Sequence, residues 1–121
     1  AWHLVVTLGE MPGKVGLTID APAENAEVPS NAKEIADAFE KAAKSVGEQV
    51  ANNWNEETLL IEDEMYGETW KRGMTLFYLT LHNAHHRGQI TVLMRQANVP
   101  VVGIYGPAKE EWEAMGMAAM A

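Results

Sequence analysis

The sequence predicts an all-α protein, a bundle of helices with a polar site in its core. Apolar residues recur at helical spacing over two long stretches, about 31–52 and about 69–97. The second stretch is rich in Leu, Met, Arg, Gln and Ala and holds no proline. On it, Met74, Phe77, Leu81, His85, Gly88 and Val92 follow one seam, and Tyr78, His82, His86, Gln89 and Leu93 the adjacent one. An apolar seam beside one with polar groups suits the interior of a bundle that carries a site between its helices.

The chain opens on Ala1-Trp2-His3-Leu4-Val5-Val6, an apolar segment with no N-cap before it. Residues 1 to about 11 read as a helix whose preceding turn, or preceding helix, is missing. His3, Thr7 and Glu10 share one face of it by i, i+4, i+7 spacing. Pro12-Gly13 kinks or ends it. Val15, Leu17 and Ile19 alternate over a run short enough to be a last turn or an extended link. Residues 20–30 hold two prolines and no periodicity, and read as a loop.

Asn31 followed by Glu34 is a capping-box arrangement, so a helix should start there. Ile35, Ala38, Phe39, Ala42, Val46 and Val50 carry it to about Asn52. Residues 53–68 are the least regular, with a short extended piece at Leu59 and Ile61. The acidic run Glu62-Asp63-Glu64 reads as an exposed turn in preference to a cation-binding patch, and Met65-Tyr66-Gly67 closes the loop. The main helix begins between Thr69 and Gly73 and ends near Ala97, where Asn98 can adopt a left-handed cap ahead of Pro100. Residues 101–107 read as a turn-rich connection, and Ala108 to Met115 as a short last helix anchored by Trp112. Met115, Met117 and Met120 read as core or fraying end, not as ligands. Residues 1–121 hold no internal repeat and fit one domain.

Composition narrows the function classes. Hydrophobic residues make up 47% and charged residues 21%, ordinary for a soluble globular domain. There is no cysteine, hence no disulfide, thiolate ligand or cysteine nucleophile. The net charge is −8 and the cationic residues are scattered, which argues against nucleic acid and acidic membrane surfaces as partners. No apolar run reaches membrane-spanning length, and a cytoplasmic location is expected.

The chemistry-bearing run is His82-Asn83-Ala84-His85-His86-Arg87-Gly88-Gln89. Three of the four histidines fall within it. On a helix His82 and His86 are i and i+4, close enough to bind one ion together, as in the helical His-Glu-x-x-His motif. His85 is i+3 from His82 and competes for that role. A catalytic metal site of zinc type wants three protein ligands and an open position. The fourth histidine is His3, so the candidate site is His3, His82 and His86. The plainer reading of such a pair is a surface or hydrogen-bonded core group, with the chain a non-enzymatic helical module.

Tyr66-Gly67-Glu68-Thr69-Trp70-Lys71-Arg72-Gly73, followed by His82-x-x-His85-His86-Arg87-Gly88-Gln89-Ile90, resembles the DinB/YfiT-like family of helical metal-binding proteins. Gly103-Ile104-Tyr105-Gly106-Pro107 resembles a tail found in some members. The resemblance implies a four-helix bundle, mostly up-down-down-up, with its first helix missing here. A shortened chain, or a homodimer that lends the missing wall, is then expected. The resemblance makes His82 and His86 ligands of a divalent metal, leaves His85 a neighbour, and takes His3 as the earlier-helix ligand. Nickel or zinc suits imidazole ligands.

The expected function is a metal-dependent enzyme acting on a small molecule, its ion lowering the pKa of water or polarising a substrate oxygen or thiol. Relatives are described as hydrolases or as thiol-dependent transferases and isomerases. Glu10 is the nearest candidate base, though it also reads as a surface carboxylate. Gln89 can orient substrate or hold a ligand imidazole, and Arg87 is expected in an ion pair.

Overall fold

The computed structural model describes residues 1–118, and Met120 lies outside that range. Helix α1 (Trp2–Lys14) runs through the buried Pro12 instead of stopping there. It ends two residues later at Lys14, and Gly16 beyond it has a φ of 89° that suits a residue without Cβ. Leu17 N–H donates to Pro12 O at 3.1 Å and Gly16 N–H to Gly13 O at 3.1 Å, the paired bonds of a Schellman end. Residues 17–30 then form a link, and Trp2 donates its indole N–H back to Ala26 O at 3.3 Å.

Helix α2 (Ala32–Asn53) starts as its capping box predicts. Asn31 Oδ1 accepts from Glu34 N–H at 2.9 Å, and Asn31 Nδ2 donates to Glu34 Oε1 at 2.6 Å. Ala42 is its only fully buried residue among those described, so α2 covers the core from outside. That core joins Leu8 and Met11 of α1, Ala42 of α2 and Leu79 of the third helix, with Phe39 and Val46 packed against it.

Residues 58–71 correct the all-α expectation. Of the extended piece predicted at Leu59 and Ile61, Ile61 is extended but Leu59 lies in a 3-10 turn, Thr58–Leu60, and the acidic run read as an exposed turn is a strand. Strands β1 (Glu62–Met65) and β2 (Glu68–Lys71) pair antiparallel, Asp63 opposite Trp70 and Met65 opposite Glu68. The two-residue loop holds Tyr66 at φ 56° and Gly67 at φ 83°. Positive φ at both centres is the type I′ geometry whose twist matches a hairpin. Alternation puts Met65 and Asp63 inward and Glu62 and Glu64 outward. Asp63 is satisfied there by Arg72, whose Nε and Nη2 donate to its two oxygens at 2.9 and 2.7 Å.

Helix α3 (Arg72–Gln96) follows directly. Asn98, at φ 56°, ends it in the left-handed conformation expected, and Val99 N–H donates to Met94 O at 2.8 Å. Its buried residues are Thr75 and Leu79, one turn apart, and the next turns of that face bring His82 and His86. The seam predicted as interior is not covered: Phe77 is 53% and Leu81 49% exposed. Periodicity identifies residues that share a face, but no packed neighbour covers this one among the described residues.

The chain divides into two compact units within α3, residues 1–86 and the residues from 87 on. In the second, the carboxylate of Glu111 accepts from Gly103 N–H and Ala108 N–H, and Arg95 grips Glu110 through two bonds of 2.6 and 3.1 Å. Helix α4 (Lys109–Trp112) is a single turn, followed by a 3-10 turn at Glu113–Met115. Met115 and Met117 are exposed, which favours the fraying end over core. The ion pair expected of Arg87 is not found among the described residues. No helix of the described residues is long and apolar enough to cross a membrane.

Candidate metal centre

His3 is the second residue of α1, and Thr7 fixes that first turn by donating its hydroxyl to His3 O at 2.7 Å. His82 and His86 lie one turn apart on α3, on the face that Leu79 commits to the core. Packing of α1 against α3 through Leu8, Met11 and Leu79 therefore brings together imidazoles 79 residues apart in the chain.

His82 Nε2 is 3.1 Å from His3 Nε2 and 3.1 Å from His86 Nε2. The ring centroids stand 4.5 to 5.0 Å apart with near-perpendicular planes. A neutral His82 Nε2 carries either one proton or one lone pair, so it can make one good hydrogen bond to these two neighbours and not two. A cation suits all three. With metal–nitrogen bonds of about 2.0–2.1 Å, two ligands subtending about 100° have their nitrogens about 3.1 Å apart. His3, His82 and His86 form the His/Cys/Asp/Glu group of the described residues that can hold an ion, one atom from each lying within 4.8 Å of the others. The donor set is purely imidazole, and it leaves the charge of a divalent ion unneutralised by its ligands.

Electrostatics keep the central ring available. Burial pushes His82 below the usual imidazole range, and the neighbouring His86, His3 and His85 push the same way, against the pull of Glu10. Lone pairs, not N–H groups, are what a metal takes. The depressed value has a consequence for the metal-free protein. Above about pH 6.5 the unfolded chain's imidazole is also neutral and the shift contributes nothing. As pH falls below that value, only the unfolded state takes up this proton, and stability drops until the folded-state value is reached. Denaturant midpoints of chelator-treated protein at pH 7.5, 6.5 and 5.5 should fall in that order, with a shallower fall in His82→Gln.

Beside the histidines opens a cavity of about 820 Å³. His3, His82 and His85 line it, as do Glu10, Tyr66 and Trp70. Glu10 is more than a surface carboxylate. Its Oε2 accepts the Tyr66 hydroxyl at 2.6 Å, and its Oε1 lies 3.3 Å from Lys14 Nζ. Seven residues of helix separate it from His3 by about 10 Å along the axis, so it belongs to a different part of the cavity. Burial and the Glu10 and Glu24 carboxylates hold the Tyr66 phenol well above its ordinary range, so it stays a donor. Trp70 is fixed by its indole N–H, which donates to the buried Thr75 hydroxyl at 2.9 Å.

The structure thus gathers His3, His82 and His86 and puts His85 on the adjoining cavity wall. Sequence reasoning did not find Tyr66, Glu24, Glu68, Trp70 or Tyr78 as wall residues. A Tyr-Gly pair between two alternating segments was the available signal for the hairpin that carries three of them. Nothing in the sequence marked Glu24.

The model of the DinB family matches residues 1–118. A Bacillus subtilis protein, YrdA, is 43% identical over 119 residues, which is 98% of this chain and 71% of that protein. Among solved structures, a DinB-like protein from Bacillus cereus is similar with a TM-score of 0.80 and 34% identity, over 86% of this chain and 69% of that one.

Proposed function

Because this chain belongs to the DinB family, we propose that it is a metal-dependent hydrolase of small molecules, with nickel or zinc held by His3, His82 and His86. The observation that carries this is the convergence of three imidazole nitrogens from α1 and α3 at the edge of a large cavity. A divalent ion there supplies Lewis acidity, lowering the pKa of water and polarising a carbonyl oxygen. His85, on the cavity wall with its ring 5.0 Å from that of His86, is the imidazole placed to hold and return a proton. Tyr66 and Trp70 shape the space in which the substrate lies. Thiol transfer ranks second, since three carboxylates on the cavity wall oppose the approach of a thiolate.

The reading takes residues 1–121 as one domain of the up-down-down-up four-helix type, in keeping with a family match that runs over residues 1–118. It also takes the protein as a cytoplasmic homodimer, in which a second copy covers the exposed Phe77. Light scattering reports the oligomer.

Elemental analysis and a panel of esters, amides and thiol cofactors test the function. One ion per chain is expected, with ester or amide hydrolysis that a chelator removes and zinc or nickel restores. His85→Gln should keep the ion and slow turnover by about 100-fold. Protein without stoichiometric metal, or hydrolysis indifferent to the chelator, overturns the reading.

A further inference from the structure

The cavity wall is chemically one-sided. Glu10, Glu24 and Glu68 line it, and among the described residues no lysine or arginine does. Three aromatic rings stand in succession along it. Tyr66 and Trp70 have centroids 6.1 Å apart, and Trp70 and Tyr78 4.8 Å apart. Aromatic faces and carboxylates together are a receptor for an organic cation.

Lys14 shows how such a group is held. Its Nζ lies over the Tyr66 ring, 5.4 Å from the centroid, and 3.3 Å from Glu10 Oε1. An ammonium from outside the lining therefore already sits between a ring and a carboxylate that belong to it. Glu10 is committed to Lys14 and Tyr66, whereas Glu24 and Glu68 have no ion pair or side-chain hydrogen bond among the described residues. Val6, Met11 and Leu81 supply apolar wall. The net charge of −8 attracts cations from solution.

We propose that this cavity binds an organic cation, a protonated amine on an apolar body, with its ammonium against Glu24, Glu68 and the Tyr66–Trp70 faces. As the substrate class of the hydrolase, this rests on the reading above, with the far end of the molecule lying toward His3 and His82, which would hold the ion. Recognition of the ammonium itself depends only on the wall.

Calorimetry on zinc-loaded and on chelator-treated protein tests it with three probes of similar size: 2-phenylethylamine, 2-phenylethanol and 3-phenylpropionate. The amine should bind about tenfold more tightly than the alcohol in both forms. The propionate should bind no better than the alcohol in the chelated form. The Glu24→Gln/Glu68→Gln double variant should lose most of the amine preference while its zinc content stays unchanged. Added salt should weaken the amine alone. Equal binding of amine and alcohol, or a preference that vanishes on chelation or survives in the double variant, overturns the proposal. Zinc stoichiometry is read separately, and its failure counts against the hydrolase and not against the cation site.

Discussion

His82→Ala is expected to abolish stoichiometric metal binding. His82 is the middle of the three imidazoles, with its Nε2 3.1 Å from each of the other two ring nitrogens. Removing it leaves one ligand on α1 and one on α3 with nothing between them. Loss of a group that merely supports a ligand costs roughly 10–100-fold in affinity, so loss of this ligand should cost more than about 100-fold. Stabilisation by the ion follows mass action, about 2.7 kcal/mol at a free concentration 100 times Kd. The melting temperature of the wild type should therefore fall on adding chelator, and that of His82→Ala should not move. His85→Ala is the control. It changes a neighbouring imidazole outside the trio and should keep the metal-dependent shift. If both variants bind metal as the wild type does, the three rings are a packing cluster.

Asp63→Ala should cost about 2–3 kcal/mol of folding stability, measured by urea unfolding. The Arg72 and Asp63 side chains are only 19% and 15% exposed, and two parallel hydrogen bonds join them. Without Asp63 the guanidinium stays largely out of water with no anion, and that desolvation is the main cost. The Trp54 ring, 6.0 Å from Cζ, stays beside it. Asp63→Asn, which keeps an acceptor, should cost less. In Asp63→Ala/Arg72→Met, with no charge left to bury, part of the loss should return. A loss below about 0.5 kcal/mol in Asp63→Ala would make this an ordinary surface pair. The hairpin presents Tyr66 and Trp70 to the cavity, so the same substitution should weaken ligands that use those rings.

The two capped ends were legible because their signals are local. Asn31 with Glu34, and Asn98 ahead of Pro100, specify backbone geometry within a few residues. The hairpin was not, because Asp63 occupies an inward position where alternation leads one to look for an apolar residue. Only Arg72, nine positions on, makes that position tolerable. Pro12-Gly13, read as kinking or ending the helix, marked its end one residue early. A proline removes one bond from a helix but does not end it when the surrounding core holds the turn in place, and α1 runs on to Lys14. His3 could be picked out only because the chain offers no other histidine outside residues 82–86. The cavity wall draws on α1, the link after it, the hairpin and α3, and spacing along any one of them does not reveal it. Phe77 and Leu81 show the converse limit, since a shared helical face says nothing about whether anything packs against it.

Tyr66 occupies the left-handed backbone region at φ 56°, at the first centre of a turn that asparagine enters more readily. Its hydroxyl is nonetheless what Glu10 Oε2 accepts from. Local durability and ligand recognition thus pull in opposite directions at one position. A chain selected for robustness alone would drift toward asparagine there, relaxing the hairpin tip and stripping the acidic wall of its phenol.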